Sequence, residues 1–190
     1  AGDQQVTISS GGCDTTITIT ITEPLPITVS ADVTDVTCNT SCDGAVDLTV
    51  AGGTGSYTFL WVPQPGLGQG TANPSDMCPG DYVVTVRDAN GCAATLSVTI
   101  AAPQPITPSL TVAAESCAGP CTGIATVQPS GGTGVINIFW APAPGSGQFT
   151  NTARFLCAGT NYTVTLTDES GCDTTIAFTI DPSSTIVPNS

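Results

Sequence analysis

Nine cysteines, at positions 13, 38, 42, 78, 92, 117, 121, 157 and 172, offer the most chemistry in this chain. Thiols at this density either oxidise to cystines or hold a soft metal. Zinc fits poorly. Cys38 and Cys42 have a spacing that zinc sites use, but Cys78 and Cys92 form no second close pair and the chain contains no His. The absence of His also removes the base of a His-dependent nucleophilic triad. A carboxylate pair remains as acid–base machinery, yet Asp43, Asp76, Asp81, Asp88 and Asp168 are spread over turn sequences. Asp88-Ala-Asn-Gly resembles part of a calcium loop without the remaining ligands, and Asn-Gly already explains it as a hairpin turn. The reading is of a chain that is no enzyme and needs no cofactor, calcium being the metal with a fragment of a site. Its cysteines are disulfide staples, which places it outside the reducing cytosol.

Charge excludes two classes of partner. Arg87 and Arg154 are the only basic residues against 15 acidic ones, for a net charge of −13. Nucleic acid needs phosphate contacts from Lys and Arg, and an anionic bilayer needs the same. Only 9% of residues are charged and 40% are hydrophobic, with 21 Gly and 15 Pro, which reads as many short strands joined by turns. No amphipathic helical stretch is visible, and no apolar run approaches the roughly 18 residues of a membrane span. No signal peptide is recognisable and the first residue is Ala1, so the expectation is a processed or excerpted piece of a longer protein.

The elements that position these cysteines repeat. "VTCNTSCDGAVDLTVAGGTGSYTFLW" and "ESCAGPCTGIATVQPSGGTGVINIFW" match at an offset of 79 residues, returning Cys38, Cys42, Gly44, the Gly52-Gly53-Thr54-Gly55 turn and Trp61 as Cys117, Cys121, Gly123, 131–134 and Trp140. Downstream, Cys78 matches Cys157, and Cys92 matches Cys172 after a one-residue insertion. The opening "GGCDTTITITITEPLPI" aligns with the same region, placing Cys13 opposite Cys92. Ile17, Ile19 and Ile21 alternate with Thr there, the period of a strand. Ile186 matches Ile27 and Ile106. The expected organisation is therefore the last strands of one module at 1–24, complete modules at 25–103 and 104–183, and the start of another at 184–190.

Within 25–103 the expected strands are 27–36, 45–50, 57–62, a short one near 71–77, 82–88 and 95–100, separated by "AGGTG", "PQPGLGQG", "CPGD" and "DANG". Six or seven short strands in about 80 residues, with one Trp on a middle strand, predict an all-β chain of tandem immunoglobulin-like sandwiches. Trp61 and Trp140 are expected in the two cores rather than on a sugar-stacking surface. Four cysteines per module allow three pairings. The loop after the first strand and the "DANGC" hairpin are expected at one end of a sandwich. That favours Cys38–Cys92 with Cys42–Cys78, and Cys117–Cys172 with Cys121–Cys157. Each would stabilise by about 3–4 kcal/mol in the chain-entropy model. Cys13 is left without a partner.

The ordered four-Cys and double-Gly pattern, with "MCPGDYVVTV", "RDANGC" and "LCAGTNYTVTLTDESGC", resembles the SprB-type repeat of large Bacteroidetes cell-surface adhesins. That resemblance implies export by the type IX route and tandem modules on giant surface proteins used in adhesion or gliding. It also implies candidate O-glycosylation where Asp precedes Thr in "DTT", at Thr15 and Thr174.

Two classes of function follow. The first is a structural spacer, whose Pro-bearing joints "TEPLPI" and "AAPQPI" limit bending. The second is a lectin-like repeat that binds surface glycans through exposed aromatics or metal ligands. A variant of the first is a filament in which separate chains join by strand donation. Expected partners are neighbouring modules of the same or identical chains.

Overall fold

The computed structural model describes residues 1–114 and 121–182; Cys117, Ile186 and the expected segment 184–190 lie outside them. Every regular element among the described residues is a strand. The chain divides into two units, Ala1–Thr34 with Gly44–Ile100, and Asp35–Asp43 with Ala101–Ser190. The hairpin expected to close a preceding module thus groups with the first unit. Asp35–Asp43 groups with the second, although it lies inside the expected module 25–103.

The first unit begins with a hairpin of β1 (Gly2–Ser10) and β2 (Cys13–Ile21), in register from Gly2↔Ile21 to Ser10↔Cys13. Gly11 and Gly12, at φ of 60° and 87°, close it in two residues, because such a turn needs positive φ at both positions. Val6 pairs with Ile17, so Val6, Ile8, Ile17, Ile19 and Ile21 share one face, and all five are exposed.

The rest of this unit has two sheets. β3 (Thr28–Thr34) pairs antiparallel with β4 (Ala45–Ala51). β5 (Thr58–Val62), β6 (Gly80–Arg87) and β7 (Ala93–Ile100) form the second sheet in that order. Alternation in "GDYVVTVR" puts Tyr82, Val84 and Val86 into the core with Val46, Leu48, Trp61 and Met77. The expected strand at 71–77 is not regular. Its residues run along β4, with Val46 N–H donating to Pro74 O at 3.1 Å and Leu48 N–H to Ala72 O at 3.1 Å. Pro74 has no N–H to return to the ladder, so the pairing stays one-sided until Gly44 and Met77 bridge.

The second unit shows what that segment becomes without proline. β8 (Ser109–Ala113), β9 (Gly123–Gln128) and β11 (Thr152–Leu156) form one sheet with β9 in the middle, and Ala153, the counterpart of Pro74, pairs with Ala125. β10 (Asn137–Ala141), β12 (Asn161–Thr167) and β13 (Asp173–Thr179) form the other. With strands lettered by this order the sheets are A-B-E and C-F-G, the arrangement of an immunoglobulin sandwich without its D strand. Trp140 on β10 fills the core between Ala125, Val127, Leu156, Val164 and Leu166. The Phe178 ring meets it edge-on at 5.8 Å.

Both units close their sandwiches identically at one point. Gly52 and Gly131 have φ of 79° and 73°, and a Cβ would stand 2.0 Å from the Pro26 carbonyl oxygen or 2.1 Å from that of Pro105. Only glycine lets the turn pass this close to the chain entering the first strand.

Candidate functional site

The buried tryptophans are held the same way in each unit. Trp61 Nε1–H donates to Thr71 O at 3.0 Å, and Trp140 Nε1–H to Thr150 O at 2.9 Å. Gln69 and Gln148 Nε2 donate to the Trp61 and Trp140 carbonyls at 3.0 and 2.8 Å. The two glutamines escaped the sequence reading. Their signal was present, since both lie in the loop after the Trp strand at the same offset.

At the hairpin, Asp88 and Asp168 are buried carboxylates used by the backbone. Asp88 Oδ2 accepts Thr54 N–H at 2.9 Å, and Oδ1 accepts the N–H groups of Asn90 and Cys92 at 3.0 and 2.9 Å. Asp168 repeats this with Thr133 and Cys172, both at 2.9 Å. The fragment read as part of a calcium loop is thus an Asx-type turn that aims the hairpin cysteine. No group of three or more metal-ligating side chains occurs among the described residues.

The loop Asp35–Asp43 presents Cys38. Asp43 accepts Thr37 N–H at 3.0 Å and the hydroxyls of Thr37 and Ser41 at 2.5 and 2.7 Å. The Thr37 hydroxyl, then that of Ser41, hold the Asp43 carboxyl well below its ordinary range, at about 2. Ser41 Oγ in turn accepts Cys38 N–H at 3.0 Å. Ala101 N–H donates to Asp35 Oδ1 at 2.8 Å and Val36 N–H to Ala101 O at 3.2 Å, tying the loop's start to the second unit.

Cys38 is bonded to Cys172, with Cα atoms 5.6 Å apart, and Cys121 to Cys157. Cys42 and Cys78 are both in disulfides. Cys13 and Cys92 are free and exposed. The expected Cys38–Cys92 bridge is therefore corrected, and so is Cys117–Cys172, because Cys172 is taken.

The reason is strand direction. In the first unit, β3 ends at Thr34 beside Ala45, where Gly44 also meets Ile100. The β6–β7 turn lies at the other end, where Asp88 binds Thr54. β7, 8 residues long, runs between these ends and spans about 26 Å at 3.3 Å per residue. Strict up-and-down alternation would bring the two cysteines together. β5 and the 71–77 segment instead run the same way, because the connection carrying Gln69 returns to its starting end, and the parity flips.

Cys172 sits in a groove of about 190 Å³ floored by residues 103–106 and walled by Asn39 and Thr40. Thr174, one candidate glycosylation site, is half-buried in its lining, whereas Thr15 is exposed on β2 opposite Ile8.

A family model described as the SprB repeat matches residues 30–64, which includes Cys38, Cys42 and Trp61. No curated protein matches the chain. Among solved structures, one described as the structural basis for Dscam isoform specificity is similar at 10% identity and a TM-score of 0.33, covering 90% of this chain and 51% of that one. The chain thus spans about half the length of that Dscam chain. The amphioxus IgVJ-C2 molecule is similar at 11% identity and a TM-score of 0.33, covering 82% of this chain and 96% of that one. No helix among the described residues is long and apolar enough to cross a membrane. Residues 30–64 thus match a SprB-type repeat within an all-β, disulfide-stapled chain, a combination that points to an extracellular or surface protein.

Proposed function

We propose that this chain is a load-bearing spacer segment of an extracellular adhesin, built from like sandwiches in series. The observation that carries the reading is the Cys38–Cys172 bond, which closes 134 residues of sequence and joins a cysteine of one sequence repeat to the hairpin cysteine of the next. A chain stretched from its ends transmits tension through that bond, and the sequence inside it cannot extend even if the sandwich unfolds. The Bacteroidetes setting, type IX export and a glycan at Thr15 belong to the same proposal. They rest on the SprB-type resemblance.

Pulling single chains by atomic-force microscopy tests it. Reduction should lengthen the fully extended chain by about 450 Å, from 134 residues at about 3.4 Å each. Equal contour lengths with and without reductant would contradict a covalent load path.

A glycan-binding reading is favoured by one feature. Phe139 and Phe149 lie 6.2 Å apart on the second unit, and both are exposed. Their counterparts in the first repeat are Leu60 and Gly70, so such a site would exist in one repeat only. Saturable binding on a glycan array, lost in Phe149→Ala, would favour it. Strand-donated filaments draw on the exposed apolar face of β1 and β2. A band near 19 kDa from reduced, denatured native material would favour separate subunits.

A further inference from the structure

Cys92 and Cys172 hold equivalent places, each with its N–H bonded to the hairpin aspartate, yet Cys172 is in a cystine and Cys92 is free. Their surroundings differ in one respect. The groove at Cys172 is floored by residues 103–106 and narrowed to about 190 Å³ by Asn39 and Thr40 of the Cys38 loop. The groove at Cys92 has the matching floor, residues 24–27, but no such loop lines it, and it opens to about 730 Å³. Leu25 in that floor is 76% exposed.

We propose that Cys92 is the receiving half of a further cystine. Its partner is a Cys38-type cysteine on a loop like Asp35–Asp43, carried by the repeat one place ahead in the same polypeptide. By register that is the repeat whose closing hairpin is β1–β2. The inference rests on reading the chain as a run of like repeats, and it extends one observed bond into a chain of bonds. The groove suits this occupant. It is lined by the acidic Glu23 and Asp88 and by no cation, and the stretch Thr37 to Ser41 that would enter is uncharged. Asp43, the loop's one acid beyond Cys38, is occupied by its own hydroxyl and amide donors. Closure joins two thiols as S–S and releases two protons and two electrons. A disulfide-class oxidant accepts them and is reduced to two thiols.

The test is thiol–disulfide exchange on the intact 190-residue chain. The probe is a peptide with the sequence of residues 35–44 carrying Cys42→Ser, supplied in excess as its mixed disulfide with glutathione. The Cys92 thiolate attacks the peptide sulfur and glutathione leaves as the thiol, so no net oxidant is needed. Cys13 is the internal control, because it is likewise free and exposed but does not line the groove over residues 24–27. At equilibrium, mass mapping should find the peptide on Cys92 at least about tenfold more than on Cys13, the effect of about 1.4 kcal/mol of groove contact. Leu25→Asp, at an exposed position, should abolish the preference. Equal labelling of Cys13 and Cys92, or equal labelling of Cys92 by a scrambled peptide, overturns the inference. The same map reads Cys38–Cys172. If that bond is present without a Cys92 preference, this inference fails alone; if it is absent, the stapled-repeat reading fails with it.

Discussion

Asp88 accepts the backbone N–H of Thr54 at 2.9 Å, and through this one carboxylate the glycine turn after β4 is tied to the hairpin that carries Cys92. Asp168 and Thr133 form the same tie in the second unit. A buried carboxylate with three backbone donors holds the end of the sandwich at which the hairpin cysteine is offered.

Asp88→Ala should cost about 2–4 kcal/mol, because three partly buried hydrogen bonds to one charged acceptor are lost together. Asp88→Asn keeps one oxygen and turns an NH2 group on the remaining donors, so it should cost about 1–2 kcal/mol. Urea unfolding would measure both. An unchanged midpoint in Asp88→Ala would show that the tie is not a stabilising element.

Trp140→Phe should cost about 1–2 kcal/mol and Trp140→Ala about 3–5 kcal/mol. Phe retains an aromatic ring near Phe178 but leaves Thr150 O without the indole N–H. Denaturant midpoints of the two variants would rank them, and equal losses would mean that the ring contributes nothing beyond the hydrogen bond.

The Asp43 carboxyl titrates at about 2 against an ordinary 3.8. A folded value below the unfolded one means that its stabilisation of the Cys38 loop is complete above about pH 4 and is lost as pH falls through about 2. The Thr37 amide proton, bonded to Asp43 Oδ1, reports this directly by NMR. Its shift should move with a midpoint near 2, and Asp43→Asn should flatten the curve; a midpoint at 3.8 would show that the loop is not organised by this group.

Much of the fold was legible because the period-2 patterns are strong. "YVVTV" alternates into the core as Tyr82, Val84 and Val86, and both tryptophans lie where a middle-strand Trp should. The segment 71–77 was misread because Pro74 has no amide to pair, a fact visible in the sequence but outweighed by its flanking pattern. The cystine at Cys38 was misread for a different reason. Which end of a sandwich a loop occupies depends on every strand's direction, and one connection that doubles back reverses the parity of all that follow. Local pattern carries no record of that. The Asp43 network was equally hidden, because the second repeat has Thr122 at that place and the comparison of repeats therefore passed over it.

Peptide mapping of the unreduced, alkylated chain tests the central claim most directly. The account predicts one linked pair joining Cys38 to Cys172, with Cys92 recovered as the alkylated thiol. A linked Cys38–Cys92 pair in its place would confine each staple to its own repeat and contradict the covalent path from one repeat to the next.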